Sequence, residues 1–130
     1  MKDNAWNRLG AYLNETQILG SIQNTLYWDQ NTIMPREGAT WRADQLTYLA
    51  KILHERTSSN VLFDLINSAE TELKGLDGID ESQLNSKMKN IDLLKKELDR
   101  QRRIDPLLVE HLARAKSRGY ESWQQAKEDS

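Results

Sequence analysis

SSNVLFDLINSAETELKGLDG, spanning Ser58–Gly78, decides the fold class. Leu62, Leu65, Ile66, Ala69 and Leu73 recur at three- and four-residue steps, the spacing of one helix face. Ser58-Ser59-Asn60 offers side-chain oxygens to the free N–H groups of a helix start. Gly75-Leu76-Asp77-Gly78 ends the pattern in a turn.

The same grammar holds on either side. Asp80 and Gln83 stand three apart, like a capping box, before Leu84, Met88, Ile91, Leu94 and Leu98. Asp105-Pro106 is a helix start, because proline has no N–H to leave unpaired in the first turn. That helix carries Leu108, Leu112, Ala115 and Trp123 and reaches about Lys127. Upstream, a helix fits Ala39 to Thr57 with Leu46, Leu49 and Leu53 on one stripe. Before it, Met34-Pro35-Arg36-Glu37-Gly38 is a connection. One helical stretch runs from about Asn4 with Trp6, Leu9 and Leu13. A second runs from about Glu15 to Thr32 with Ile18, Leu19, Ile22 and Leu26, and the two can also form one long helix bent at Gly20. The expectation is one all-α domain over residues 1–130, an array of about five or six antiparallel helices.

Composition narrows the function classes. The formal net charge is −2, so no global field recruits nucleic acid. Hydrophobic residues make up 38% and charged residues 29%, with a mean hydropathy of −0.77. No apolar run approaches a membrane span, and Met1-Lys2-Asp3-Asn4 opens no signal peptide, so a cytoplasmic protein without a membrane partner is expected. Cysteine is absent, which removes disulfides, a thiolate nucleophile and cysteine-based zinc sites.

Candidate chemistry is sparse. His54-Glu55 begins like HExxH, but the second imidazole position is Ser58. His54 is read as a packed or hydrogen-bonded side chain at a helix end. There is no Gly-x-Ser-x-Gly elbow and no phosphate-binding glycine loop. Lys95, Lys96, Arg100, Arg102 and Arg103 form a basic run, read as a solvated face, with an anionic partner as the alternative. No catalytic residue and no metal ligand is assigned. Trp28-Asp29-Gln30 before Met34-Pro35 is the least ordinary segment. Either Trp28 anchors the core while Asp29 satisfies a backbone group or an arginine, or the segment walls a substrate groove. The tryptophans and tyrosines read as packing residues, some of them covering surface meant for a partner.

Four segments carry a resemblance. They are Leu19-Gly20-Ser21-Ile22-Gln23 through Trp28-Asp29-Gln30 and Met34-Pro35; Arg42-Ala43-Asp44-Gln45-Leu46; Leu53-His54-Glu55-Arg56; and Leu112 to Arg118 with Trp123 and Ala126. In that order they resemble the N-terminal helices of the carboxypeptidase Taq family of HExxH zinc metallocarboxypeptidases. Where many members carry a second proline after Met-Pro, this chain has Arg36. The resemblance implies an all-helical peptidase with a deep groove, far longer than this chain and often a homodimer. Such an enzyme releases C-terminal residues from peptides with a divalent metal, usually zinc. The HExxH motif has no counterpart here, so neither the metal nor its ligands carry over. The resemblance instead implies an N-terminal structural and substrate-groove portion, inactive alone, whose partners are the rest of the peptidase and, in the parent, the peptide. Trp28, Asp29, Gln30, Met34 and Pro35 are the expected groove residues. A free-standing helical binding or dimerisation module is the alternative.

Overall fold

The structure, a computed structural model, describes residues 4–129. The reading of Met1–Asp3 as leaderless therefore lies outside the described residues. Five α-helices follow one another: α1 Ala5–Thr32, α2 Ala39–Thr57, α3 Asn60–Lys74, α4 Glu81–Arg102 and α5 Pro106–Asp129. A 3-10 turn, Arg36–Gly38, lies between α1 and α2. No strand occurs among the described residues, and none of their helices is long and apolar enough to cross a membrane. The all-α expectation holds. The two N-terminal stretches are one helix, since glycine costs a helix interior only about 1 kcal/mol and keeps its N–H.

The caps are those the sequence announces. The Ser59 hydroxyl accepts from Leu62 N–H at 3.0 Å. Asp80 accepts from Ser82 N–H at 3.2 Å, and Asp105 from Leu107 N–H at 2.9 Å. Among the described residues only Gly78, at φ +75°, takes a left-handed conformation, which closes the α3–α4 turn.

The chain forms two compact units. The first joins the start of α1, up to Thr16, with Arg56–Arg103. Its core is aliphatic: Leu9, Leu62, Ile66, Leu73, Ile91 and Leu98 are all buried. Arg102 bonds Asn60 Oδ1 at 2.9 Å and Glu70 meets Lys95, so α3 and α4 run antiparallel. Glu72 Oε2 accepts from Ala5 N–H at 2.7 Å, placing a carboxylate on the first turn of α1. Tyr12 donates to the Arg56 carbonyl at 2.8 Å and lies 2.9 Å from the Ser59 hydroxyl. The Arg56 guanidinium covers the Tyr12 ring at 4.0 Å and reaches Thr16 Oγ1 at 2.9 Å. Three members of the basic run are engaged within this unit: Arg102 and Lys95 bind α3, and Arg100 pairs with Glu97 at 2.7 Å.

The second unit joins Gln17–Glu55 with α5. Leu46 is its one large, fully buried aliphatic side chain among the described residues. Ala43, Thr47, His54, Gln30, Ala113 and Ser117 complete the interior. Many large apolar side chains stay outside, among them Ile18, Ile22, Ile33, Trp41 and Tyr48. The expected stripe on α5 also faces outward: Leu108, Leu112 and Trp123 are 50%, 59% and 57% exposed. The packed face is instead the small pair Ala113 and Ser117, and Ser117 gives Gln30 a polar partner.

Two stability differences follow. Ile66→Ala, at 1% exposure in the aliphatic core, is expected to cost about 2–5 kcal/mol in urea unfolding. Glu70 is held below its ordinary carboxyl value by hydrogen bonds from Lys95 and then Lys74. A lowered folded pKa gives stability that is present above the unfolded value and lost as pH falls through the folded one. Glu70→Gln should therefore be less stable than the parent at neutral pH. The two should converge in acid unfolding below the carboxylate range.

Candidate functional site

The candidate groove residues sit where α1 ends and turns back into α2. The helix closes with Ile33 and Met34 N–H both donating to the Asp29 carbonyl, at 3.0 and 2.9 Å. Pro35 then stops it and starts the 3-10 turn with extended backbone, φ −63° and ψ 149°. Met34 lies over Gly38, its Cγ 3.4 Å from where a β-carbon there would stand.

The three residues of the Trp-Asp-Gln segment take different environments. Trp28 is 59% exposed, which overturns the core-anchor alternative for its indole. Asp29 is half-buried and accepts from Arg42 Nη2 at 2.8 Å. The same guanidinium donates to the Leu26 carbonyl at 2.7 Å and to Gln45 Oε1 at 2.9 Å. Arg42 thus binds the last turns of α1 to α2 through a fork that only arginine supplies. Gln30 is buried and donates through Nε2 to Ser117 Oγ at 2.9 Å, tying α1 to α5. Successive helical residues point about 100° apart, so inward fastening at 29 and 30 turns position 28 out. Pro35 is exposed and Met34 half-buried, so Trp28, Met34 and Pro35 present surface while Asp29 and Gln30 fix the backbone.

A polar hollow of about 330 Å³ adjoins this segment, lined by Asn24, Tyr27, Gln30, Asn31, Lys116 and Tyr120. The Lys116 ammonium lies 4.3 Å from the centre of the Tyr27 ring. Burial pushes the Tyr27 hydroxyl above its ordinary value. Tyr120 donates to the Asn31 carbonyl at 3.3 Å. A second hollow, about 480 Å³, lies between α2 and α5 and includes Trp41, Tyr48, Lys51 and Arg114. Arg114 meets Asp44 there at 2.7 Å. Carboxamide, hydroxyl, ammonium and aromatic groups of this kind can bind a polar chain. They include no nucleophile paired with a base.

A zinc centre needs three or four converging donors. Among the described residues no three His, Cys, Asp or Glu side chains form such a group. His54 is buried in the last turn of α2, and His111 is exposed on α5. These two imidazoles belong to no such group among the described residues, so they do not fit a zinc site.

Arg42 and Ser117 were not singled out as site residues by sequence reasoning, although both lie inside segments that carry the resemblance. The Asp29 carboxylate and the Gln30 carboxamide each needed a partner, which was the available signal. Arg42→Met removes three hydrogen bonds and leaves Asp29 unpaired. It should lower unfolding stability by about 1–3 kcal/mol, with Arg42→Lys recovering only part.

Comparison with known proteins bears on this arrangement. The model of the carboxypeptidase Taq (M32) metallopeptidase family matches residues 8–130. Thermostable carboxypeptidase 1 of Thermus thermophilus is 27% identical over 123 residues, 95% of this chain. The chain spans 23% of the length of that relative. No solved structure matches. With its family match running over almost all of the described helices, this chain belongs to the carboxypeptidase Taq (M32) metallopeptidase family.

Proposed function

We propose that this chain provides the N-terminal helical portion of a zinc-dependent carboxypeptidase that releases C-terminal amino acids from peptides, and that it is catalytically inert by itself. The observation that carries this reading is the coverage: 95% of the chain corresponds to 23% of a thermostable carboxypeptidase. The metal ligands and the base of such an enzyme would belong to the remaining polypeptide. Contact with that polypeptide would also cover apolar side chains that the second unit leaves outside, Ile18 and Trp41 among them.

Within this portion, Trp28, Asp29, Gln30, Met34 and Pro35 form a stretch of groove wall. The Arg42–Asp29 and Gln30–Ser117 bonds hold the backbone still. Trp28 offers an exposed indole, and the hollow beside it offers carboxamide and ammonium groups to a peptide main chain. These residues bind and position; none of them transfers a proton in the reaction.

Incubation of the purified chain with an N-blocked dipeptide and zinc is expected to release no C-terminal amino acid above the protein-free blank. Metal-dependent release that survives repurification would overturn the inert reading. In a titration with the same dipeptide, the Trp28 indole N–H and the Gln30 carboxamide resonances should shift together. Shifts confined to other residues, or none up to millimolar peptide, would remove this segment from the groove.

A further inference from the structure

The first unit holds a hollow of about 580 Å³ between α1 and α4, which neither the family relationship nor the groove reading uses. Trp6, Leu9 and Leu13 line it from α1, one helix face at three- and four-residue steps. Leu93 and Leu94 line it from α4. Leu9 is buried and Leu93 is 54% exposed, so the hollow leads from the core out to solvent. Gly10 lines it as well, and nothing lies within 4 Å of where its β-carbon would stand. The missing side chain keeps the space open.

The two ends of the hollow differ in charge. Ala5 meets Glu72 and Tyr12 meets Ser59, so α1 runs antiparallel to α3 and parallel to α4. The Lys87 ammonium stands 5.0 Å from the centre of the Trp6 ring, at the end where α1 begins. Lys87 is half-buried, and among the described residues no carboxylate pairs with it. Glu72, the carboxylate on the first turn of α1, accepts from Ala5 N–H instead. Glu97 lines the hollow at the far end, beyond Leu94. Both of its oxygens already accept from the Arg100 guanidinium. A negative head group therefore finds an unpaired cation at one end, whereas a positive one finds a carboxylate already in use. From Trp6 to Leu13 the wall is roughly 10 Å long, the length of an extended alkyl chain of about eight to ten carbons.

We infer that the hollow between α1 and α4 binds a medium-chain alkyl carboxylate, with its head group at Lys87 and its chain along Leu9, Leu94 and Leu13. Burial of the chain against these walls supplies most of the affinity. The ammonium supplies the preference for an acid. This inference does not rest on the peptidase reading.

The test is calorimetric titration with decanoate, octanoate, hexanoate and octanamide, the neutral counterpart of octanoate. Decanoate should bind one per chain and saturate at about 1 mM or below. Each loss of two carbons should weaken binding about tenfold. Octanamide should bind about fivefold more weakly than octanoate, and Lys87→Gln should abolish that difference. The Trp6 indole N–H resonance should shift on titration while that of Trp123 stays in place. Gly10→Leu fills the hollow and should remove binding without loss of helix by circular dichroism, since leucine is the better helix former. No saturable decanoate binding at millimolar concentration would overturn the inference. Equal affinity for octanoate and octanamide would overturn it too, leaving an apolar seam suited to another protein segment. Unchanged binding by Gly10→Leu, or an unmoved Trp6 resonance, would place the ligand elsewhere and overturn it as well.

Discussion

A limited supply of aliphatic side chains governs this molecule. With hydrophobic residues at 38% of the chain, one unit receives nearly all of the large buried ones. Leu9, Ile66, Leu73 and Ile91 pack there at 2% exposure or less, and non-directional burial suffices to hold α3 and α4 against α1. The second unit has Leu46 and must use directional bonds. The Arg42 fork and the Gln30–Ser117 pair do there what leucine contacts do in the first unit. Such bonds fix geometry closely, while contributing less per contact than core burial.

This division explains why apolar side chains sit outside in the second unit. Apart from Leu46, the side chains buried there are small or polar: Ala43, Thr47, His54, Gln30, Ala113 and Ser117. Larger apolar side chains such as Ile18, Ile22 and Trp41 remain at the surface.

Much of the fold was legible because helix ends are written locally. Ser59, Asp80 and Asp105-Pro106 each act within three residues of themselves, and a reader of the sequence needs nothing more distant. The stripes of α3 and α4 were legible because most of their apolar residues share one face, with Val61, Phe63 and Leu93 standing outside it. The direction of α5 was not. Periodicity reveals that a stripe exists, but which way it turns depends on partners far away in sequence, here Gln30 for Ser117. The exposure of Trp28 was hidden for the same reason, since it follows from Arg42 and Ser117 gripping the next two residues. The segment from Trp28 to Pro35 was therefore visible as an unusual cluster, while the residues that hold it in shape were not.

The units are interleaved along the chain. Arg56–Arg103 belongs to the first and interrupts the second, whose parts lie on either side of it. The second unit must therefore close a long loop before α5 can reach α1 and α2. Folding of the interrupting stretch shortens that loop, since α3 and α4 meet across a brief turn and draw Arg56 and Arg103 toward one another through the Arg102 contacts with Ser58 and Asn60. The α3–α4 hairpin is thus placed to act as an internal template during synthesis: until it forms, the polar fastenings of the second unit carry the full entropy of loop closure.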